Sequence, residues 1–278
     1  MTVILDGQKL SKKILTTLTK KIEASNLRLG LAVIAIGKNK VSEVYLKQKR
    51  LACQNIGIGF KLYRFPKNIS QKKLEEKIKQ ISKIKGNSGI VIQLPLPFSP
   101  LVASRFFNLI PLKKDIDCLG QTNFSRFCRG NKKNMPPVVS AISKFFKKYK
   151  IQVKDKNVVV IGAGRLVGLP VSFWLANNGA KITIVDKSTK NIKVPIKKAD
   201  IIISGTGQAN LIKGSMIKRG AVVVDVGTST DKGRVSGDVE KNSVLKKASF
   251  LAPVPGGVGP LTIACLLENL VKSSLYSN

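Results

Sequence analysis

Apolar residues in the first part of the chain alternate between helical and strand spacing. Residues spaced four apart from Leu10 to Ile22 form one stripe of a helix predicted over Gln8–Ala24. The unbroken apolar run Leu29–Ile36 predicts a strand buried on both faces, as in a parallel sheet. The same rhythm predicts a helix from Ser42, as its N-cap, to about Gln54, a strand over Ile58–Phe65, a helix over Ser70–Lys83 and a strand over Gly89–Gln93.

A second series of the same kind follows after a break. The Pro-rich segment Leu94–Pro97 ends the third strand, the polar stretch Gly120–Asn134 is predicted as a loop, and we place a domain crossing at a helix starting near Val138. Further strands are predicted over Val158–Ile161, Lys181–Val185, Ile201–Ser204 and Ala221–Val226, and a last helix over Leu261–Leu275, with Pro260 in its first turn. Repeated strand–helix–strand units predict an α/β fold with parallel sheets and right-handed crossovers.

Composition narrows the chemistry. The chain of 278 residues contains no histidine, which excludes Ser-His-Asp triads, Cys-His pairs and HExxH zinc sites. Acid–base catalysis must therefore use Lys, Tyr, Asp or Glu. The four cysteines form no CxxC pair, so we expect no metal site and reduced thiols in a cytoplasmic protein.

The charge balance is strongly basic. The sequence has 49 Lys+Arg against 15 Asp+Glu, a net charge of +34, which raises the possibility of nucleic-acid binding. The lysines are spread along the whole chain without a basic tail, zinc finger or aromatic RNA-binding motif, so a solvated lysine-rich surface is favoured over a nucleic-acid-binding protein. Attraction of anionic substrates is the functional alternative. No signal peptide is recognised, and prolines interrupt the uncharged run Ala248–Leu267, so no membrane partner is expected.

A glycine-rich turn follows the strand Val158–Ile161. Gly162, Gly164 and Gly168 follow a GxGxxxG spacing between that strand and a predicted helix. Such a turn brings backbone N–H groups and a helix N-terminus close to a pyrophosphate, and the next strand ends at Asp186, which suits a ribose hydroxyl. The turn therefore indicates a Rossmann-type nucleotide-binding domain, with a purely structural tight turn as the alternative.

Two other segments have unusual patterns. Tyr45 and Lys49 share one face of a predicted helix, although this spacing alone is more typical of a solvated lysine. The segment Pro253–Thr262 is rigid and rich in glycine, which predicts a loop that brings backbone close to a ligand.

Taken together, these motifs resemble the bifunctional methylenetetrahydrofolate dehydrogenase/methenyltetrahydrofolate cyclohydrolase family over nearly the whole chain. The matching segments are Ser42–Lys49, Gly89–Pro97, Lys114–Asp117, Val167–Pro170, Asp225–Gly227, Ser236–Val239 and Pro253–Thr262. The resemblance implies a folate-binding catalytic α/β domain over residues 1–138, a Rossmann-type domain over 139–256, and a C-terminal helix over 257–278 that packs back on the N-terminal domain. It also implies a cytoplasmic homodimer that oxidises methylenetetrahydrofolate with a nicotinamide cofactor and hydrolyses the product. A dehydrogenase with weakened cyclohydrolase activity is the alternative on the same fold.

The resemblance also implies residue roles. Lys49 would move protons, Gln93 would hold it by a hydrogen bond, Tyr45 would stack on the folate and Asp117 would accept hydrogen bonds from the pterin. Additional substrate contacts would come from Ser42, Pro255, Gly256 and Gly257.

On the cofactor side the chain departs from the family pattern. Cofactor contacts would come from Gly162, Ala163, Gly164, Gly168, Asp186, Lys187 and Thr228. The family usually has arginine at Ala163 and His-Ser at Asp186-Lys187, a change that favours NAD over NADP. Two other departures are Pro136–Val139, where Pro-Cys-Thr-Pro is usual, and Cys118, where glycine is usual.

Overall fold

The computed structural model describes residues 1–231 and 234–275. Its strands are β1 (Val3–Ile4), β2 (Gly30–Ile36), β3 (Gly59–Phe65), β4 (Gly89–Ile92), β5 (Asn157–Ile161), β6 (Lys181–Val185), β7 (Ile201–Ser204), β8 (Val222–Asp225), β9 (Ser229–Asp231), β10 (Arg234–Ser236) and β11 (Phe250–Ala252). Its helices are α1 (Gly7–Ala24), α2 (Lys40–Asn55), α3 (Gln71–Lys83), α4 (Pro100–Asn108), α5 (Gln121–Cys128), α6 (Pro137–Lys148), α7 (Gly168–Asn177), α8 (Lys193–Lys198), α9 (Lys241–Leu245) and α10 (Val258–Leu275).

Two compact units make up the chain. Met1–Ser11 and Val138–Thr262 form one, which we call the six-stranded unit, and Lys12–Pro137 with the chain from Ile263 onward forms the other, the three-stranded unit. The crossing into the six-stranded unit falls at Val138.

The three-stranded unit has the parallel order β3-β2-β4. Residues of β2 alternate between two apolar clusters, Leu31 and Val33 in one and Ala32 and Ile34 in the other, because helices cover both faces. On the first face, Leu266, Leu267 and Leu270 of α10 are buried with apolar residues of α1 and α2. The expected return of the last helix to the N-terminal domain is thus confirmed.

The six-stranded unit has the order β1-β11-β8-β7-β5-β6, with every neighbouring pair parallel. From β5 the chain passes to β6 on one side and then returns to β7 on the other side, so the strand order reverses between β5 and β7. Open α/β sheets bind their ligands at the carboxyl ends of the strands beside such a reversal. The Rossmann-type fold expected for this part of the chain is confirmed.

The first strand lies outside the unit in which the sequence analysis placed it. Residues 1–138 are expected to form one domain, yet Val3 and Ile4 pair with Phe250 and Leu251 at the edge of the six-stranded sheet. Neither β1 nor β11 is predicted, because strands of two and three residues are too short to show a period.

Three local predictions are corrected. The stretch Gly120–Asn134 is not all loop, because α5 occupies Gln121–Cys128 and buries Asn123 and Phe127. Ser42 does not cap α2, since the side chain of Asn39 accepts the N–H groups of Val41 and Ser42 at 3.1 and 3.2 Å. Helix α4 is absent from the prediction, although Ser99 caps it and Pro100 starts it.

Among the described residues, no helix is long and apolar enough to cross a membrane. None of the four cysteines is part of a disulfide bond. Within the same part of the chain, no group of three or more metal-ligating side chains is placed to hold a metal ion.

Candidate active site

Helix α2 provides one wall of the site in the three-stranded unit. Ser42, Tyr45, Lys49 and Cys53 are three or four residues apart and so share one helical face. Ser42 and Cys53 are buried, and Tyr45 packs partly buried against the cluster of α1, α2 and α10. The solvated-lysine alternative for Lys49 does not hold, because its side chain is partly buried and bonded within the protein.

Gln93, the residue immediately after β4, forms a hydrogen bond with Lys49. The Nζ atom of Lys49 donates to Oε1 of Gln93 at 2.7 Å. The Nε2 group of Gln93 donates to the carbonyl oxygen of Leu94 at 3.0 Å, and the Ser42 hydroxyl donates to the same oxygen at 3.0 Å. These bonds fix which end of the Gln93 amide faces Lys49, so the glutamine is oriented as an acceptor for the lysine.

Asp117 lies on a loop that a second carboxylate organises. The Asp115 carboxylate accepts the N–H groups of Leu119 at 3.2 Å and Gly120 at 3.0 Å, and the Asn123 side chain at 3.0 Å. Within this loop Cys118 has a left-handed φ of 56°. That conformation favours glycine, the residue usual in the family at this point.

Burial and charge tune the three ionisable groups of the site. Burial lowers the pKa of Lys49, while the nearby Asp117 charge works in the opposite direction. Burial raises the pKa of Asp117 to about 6, opposed by Lys49 and assisted by Asp115. Burial also raises the pKa of Cys53 to about 12, which keeps that thiol neutral. A lysine that loses its proton easily therefore lies within the field of a carboxylate that titrates near neutrality.

The glycine-rich turn lies in the six-stranded unit at the reversal of strand order. Gly162 has a φ of 94° and donates its N–H to the Val185 carbonyl at 2.7 Å. A side chain at Gly168 would overlap the Gly162 carbonyl, so the absence of side chains lets the turn lie against the start of α7. At Gly164 a Cβ atom would meet nothing within 4 Å, and this residue is exposed. This open backbone before a ten-residue helix fits a dinucleotide pyrophosphate.

The other predicted cofactor residues lie near this turn or at the same edge of the sheet. Ala163 is exposed within the turn, and Asp186 and Lys187 are exposed directly after β6, which pairs with β5 up to Ile161 and Val185. One Asp186 oxygen accepts the N–H and the hydroxyl of Ser188 at 2.9 and 2.6 Å, and the hydroxyl bond is the main cause that lowers the pKa of Asp186. Thr228 follows β8 and is partly buried.

The segment Pro255–Gly257 belongs to the six-stranded unit and precedes α10. Gly256 has a φ of 98°, and its carbonyl accepts the Gly7 N–H at 2.9 Å. A side chain at Gly7 would overlap the Gly257 carbonyl. The close backbone approach that the structure displays here is thus to the start of α1.

The structure brings together the four predicted residues Ser42, Lys49, Gln93 and Asp117 through contacts and charge within one unit. The sequence analysis missed the residues that hold them in place, namely Asn39, Asp115 and Asn123. Of these, Asp115 had the clearest sequence signal, because it stands two positions before Asp117 in the matching segment Lys114–Asp117. For Asn123 no signal existed, because its polar neighbours predict a loop.

A parallel sheet with a glycine turn at its strand reversal, together with a unit that carries a partly buried Lys–Gln–Asp site, defines the class of α/β enzymes that use a nucleotide. Residues 5–117 match the family model described as "Tetrahydrofolate dehydrogenase/cyclohydrolase, catalytic domain", and residues 136–278 match the "NAD(P)-binding domain" of the same family. The chain belongs to the tetrahydrofolate dehydrogenase/cyclohydrolase family. The resemblance, the enzyme class and the NAD(P)-binding domain expected from the sequence are confirmed.

Relatives and solved structures agree with this assignment. The Bifunctional protein FolD of Nautilia profundicola is 40% identical over 275 residues, covering 98% of this chain and 96% of the relative. The bifunctional FolD enzyme of Campylobacter jejuni superposes with a TM-score of 0.92 at 36% identity over 100% of both chains. The Trypanosoma brucei FolD, whose structure is complexed with NADP cofactor and inhibitor, has a TM-score of 0.92 at 33% identity and covers 99% of this chain and 98% of its own.

Proposed function

We propose that this chain oxidises 5,10-methylenetetrahydrofolate to 5,10-methenyltetrahydrofolate and hydrolyses that product to 10-formyltetrahydrofolate, with Lys49 as the residue that moves protons. The observation that carries the proposal is the 2.7 Å bond between Lys49 Nζ and Gln93 Oε1, on a lysine whose pKa burial lowers. A lysine in this environment exists as a free amine at lower pH than one in water, and is thus a usable base.

In the oxidation, the residues of the site bind and orient the folate. Ionised Asp117 accepts hydrogen bonds from the pterin amino group and ring nitrogen, and the partly buried ring of Tyr45 stacks on the substrate. Bound NAD or NADP supplies the acceptor for the hydride that leaves the one-carbon unit. The oxidation converts the neutral methylene group to a cationic methenyl group beside Lys49, and a neutral lysine avoids charge repulsion with it.

In the hydrolysis, a water molecule adds to the methenyl carbon. Neutral Lys49 takes one proton from this water at Nζ, which leaves a neutral hydroxyl adduct. The adduct then loses its hydroxyl proton as one carbon–nitrogen bond of the ring breaks, the released nitrogen takes up a proton, and the formyl group remains on the other nitrogen. Gln93 holds the lysine in place through both protonation states, because its amide is itself fixed on the Leu94 carbonyl. The site then returns its proton to solvent.

We assign the three-stranded unit, with Ser42 as a further substrate contact, to folate and the six-stranded unit to the nucleotide. A substrate contact of Pro255, Gly256 and Gly257 follows from the family resemblance alone. The ligands of the nucleotide are the turn residues Gly162, Ala163, Gly164 and Gly168, together with Asp186, Lys187 and Thr228. The turn geometry and its place at the strand reversal support this assignment.

NAD is the proposed cofactor in preference to NADP. Asp186 is exposed next to the glycine turn, and the Ser188 hydroxyl bond keeps its pKa low, so it carries a charge at neutral pH. A carboxylate at this point binds a ribose hydroxyl and repels a 2′-phosphate. Ala163 provides no cation to offset that repulsion.

The remaining proposals concern the setting of the enzyme. A homodimer follows from the family resemblance alone. The four cysteines, none of them in a disulfide bond, support a reducing compartment, and we propose the cytoplasm.

A single assay tests the proposed function. Purified protein is mixed with methylenetetrahydrofolate and either nucleotide, and reduced nicotinamide and methenyltetrahydrofolate are followed by absorbance. We expect reduced nucleotide to form with methenyltetrahydrofolate accumulating little, since hydrolysis follows. Accumulation of methenyltetrahydrofolate in step with reduced nucleotide would instead indicate the dehydrogenase with weakened cyclohydrolase activity, and absence of turnover with both nucleotides would refute the proposal.

A further inference from the structure

Two buried carboxylates meet in the six-stranded unit. Asp225, the last residue of β8, is 1% exposed and Asp238, two residues after β10, is 0% exposed. One Asp225 oxygen accepts the N–H groups of Gly227 and Asp238, both at 3.1 Å, and the other accepts that of Val239 at 3.0 Å. Asp225 therefore fixes both the loop that follows β8 and the segment that carries Asp238.

Asp238 in turn holds the loop after β7. Its Oδ2 atom accepts the hydroxyl of Ser204 at 2.6 Å and the N–H of Thr206 at 2.7 Å. Ser204 ends β7 and is 0% exposed. The two carboxylates thus connect the carboxyl ends of neighbouring strands β7 and β8: Asp238 accepts two hydrogen bonds and Asp225 accepts three.

Stability alone does not explain this pair. Burial raises the pKa of Asp225 to about 7, and the Asp238 charge acts in the same direction against the backbone N–H groups. In the part of the chain that the structure describes, Asp238 Oδ1 is buried without a hydrogen-bond partner. Buried carboxylates that are incompletely bonded cost free energy of folding, and apolar side chains of similar volume pack there at lower cost.

The location of the two loops points to the nucleotide. The loop after β7 lies against the glycine turn, since a Cβ atom on Gly162 would lie 2.9 Å from the Gly205 carbonyl oxygen. The same loop meets the one after β8, where a Cβ atom on Gly207 would lie 3.4 Å from the Thr228 carbonyl oxygen. All three segments follow the carboxyl ends of β5, β7 and β8, and sheets of this strand order bind nucleotides at the carboxyl ends of their strands.

We propose that Asp225 and Asp238 are positioning residues for the nicotinamide nucleotide, which hold the loops 205–207 and 226–228 at the separation that its binding requires. The proposal rests on the proposed nucleotide site at this edge. Because both carboxylates are fully covered by protein, neither reaches the nucleotide, and they act through Thr206 and the backbone of the loops.

The test compares Asp238→Ala with Asp238→Asn, because asparagine keeps an acceptor oxygen for Ser204 and Thr206. We expect Asp238→Ala to raise the nucleotide KM by roughly tenfold or more, the effect of losing a charge-assisted hydrogen bond, with the folate KM unchanged. Asp238→Asn should recover most of that loss. The matched control is Asp200→Asn. Asp200 also accepts a backbone N–H, from Asn157 at 2.7 Å, but it precedes β7 and so lies at the amino ends of the strands, away from the proposed nucleotide site.

The internal check is cyclohydrolase activity with methenyltetrahydrofolate, which depends on Lys49 in the other unit and should be unchanged. If Asp238→Ala does not fold, Ser204→Ala decides, because this covered side chain acts on the nucleotide only through Asp238. It should raise the nucleotide KM severalfold, whereas Ser172→Ala, which removes a buried hydroxyl without a hydrogen-bond partner among the described residues, should not.

Different results would overturn the positioning role and the proposed function. An unchanged nucleotide KM in folded Asp238→Ala, or in Ser204→Ala where that variant decides, overturns the positioning role while leaving the proposed function in place. A rise in the folate KM equal to that in the nucleotide KM overturns it as well. A wild-type enzyme that turns over neither NAD nor NADP overturns the proposed function and this inference together.

Discussion

Lys49 combines a hydrogen bond, partial burial and a nearby carboxylate, and these features make a lysine useful near neutral pH. Gln93 accepts from its Nζ atom at 2.7 Å, while the Asp117 charge offsets part of the effect of burial. Cys53 lies one turn further along α2, and burial raises the pKa of its thiol to about 12, so it is neutral at the pH of the reaction. The downward direction of the lysine pKa shift therefore comes from burial in the folded chain, and the nearby Asp117 charge opposes it.

Replacement of this lysine should separate the two reactions from the fold. We expect Lys49→Met to abolish cyclohydrolase activity and to leave folding and nucleotide binding intact, because methionine keeps the apolar volume of the side chain. Loss of an acid–base group usually costs about 10²- to 10⁴-fold in rate. The measurement is the hydrolysis rate of methenyltetrahydrofolate, and a variant that keeps more than about a tenth of the wild-type rate would falsify the assignment.

Lys47→Met provides a matched control for that experiment. Lys47 lies on the same helix, two residues earlier, and its side chain is exposed. Its substitution makes the same change of lysine to methionine without removing the partner of Gln93, so the hydrolysis rate should stay close to that of the wild type.

The raised pKa of Asp117 predicts how substrate binding depends on pH. Burial raises the pKa of its carboxyl group to about 6, and in the proposed function the ionised form accepts hydrogen bonds from the pterin. The folate KM should therefore rise as the pH falls below about 6 and should level off above that value. Asp117→Asn should have a high KM without this dependence, and an Asp117→Asn profile that still turns near the same pH would assign the titration to another group.

The same shift has a consequence for stability. A carboxyl group whose pKa is higher in the folded than in the unfolded state favours folding below the unfolded value, and that contribution is lost as the pH rises through the folded value. The melting temperature of Asp117→Asn relative to that of wild type should therefore increase as the pH rises from about 4 to about 7. This window is set by the ordinary pKa of 3.8 and the folded-state pKa of about 6. A difference in melting temperature that is flat across this range would contradict the raised pKa.

At the scale of elements, we propose that the turn between β5 and α7 and the end of β6 together set the nucleotide preference. Their adjacency follows from the parallel pairing of β5 with β6, which places Gly162 and Asp186 directly after paired residues. Sequence distance alone does not establish this, because a strand order with β6 elsewhere in the sheet would separate them.

We predict that the wild-type enzyme has a higher kcat/KM with NAD than with NADP, and that Ala163→Arg with Asp186→Ser moves the preference toward NADP. Loss of a phosphate pair and a like-charge contact costs NADP about 2–4 kcal/mol, or roughly 30- to 1,000-fold. Lys187 and Lys190 are exposed near Asp186 and reduce this difference. A wild type that favours NADP ends the prediction, and an unchanged preference in the double variant shows that other residues decide.

At the scale of the whole molecule, the net charge of +34 is the dominant feature. Folates are anions, and a polyglutamate tail adds further negative charge. Long-range attraction falls off beyond about 8 Å at physiological salt, so only lysines near the bound tail contribute. Rising ionic strength should therefore raise the KM of a polyglutamylated folate more steeply than that of the monoglutamate.

The two substrates are compared at matched ionic strength, with a neutral osmolyte as the control for effects unrelated to charge. Equal salt dependence for both would show that the charge plays no part in attracting the tail. Because the net charge is strongly positive, nucleic-acid binding is checked as well. The ultraviolet absorbance ratio of the purified protein should be that of protein free of nucleic acid. Nucleic acid that co-purifies and is removed by salt would revive that alternative.

The sequence by itself determined the α/β class and most helix and strand positions, and it indicated Ser42, Lys49, Gln93 and Asp117 as candidate site residues. It did so because long apolar runs and helical stripes are local signals, and because the matching segments are specific. Elements of two or three residues such as β1, and the polar helix α5, carry too little periodicity to be recognised in this way.

Only the tertiary structure decided how those residues are held. The pairing of β1 with β11, the carboxylate of Asp115 under the loop of Asp117, and the contact of Asp238 with Thr206 each join positions whose relation no local pattern encodes. Hydrogen bonds of buried carboxylates depend on where backbone N–H groups converge, and that convergence exists only once strands have paired. The pKa values of Lys49 and Asp117 depend on the same packing, because burial, the main cause of both shifts, is a property of the folded chain.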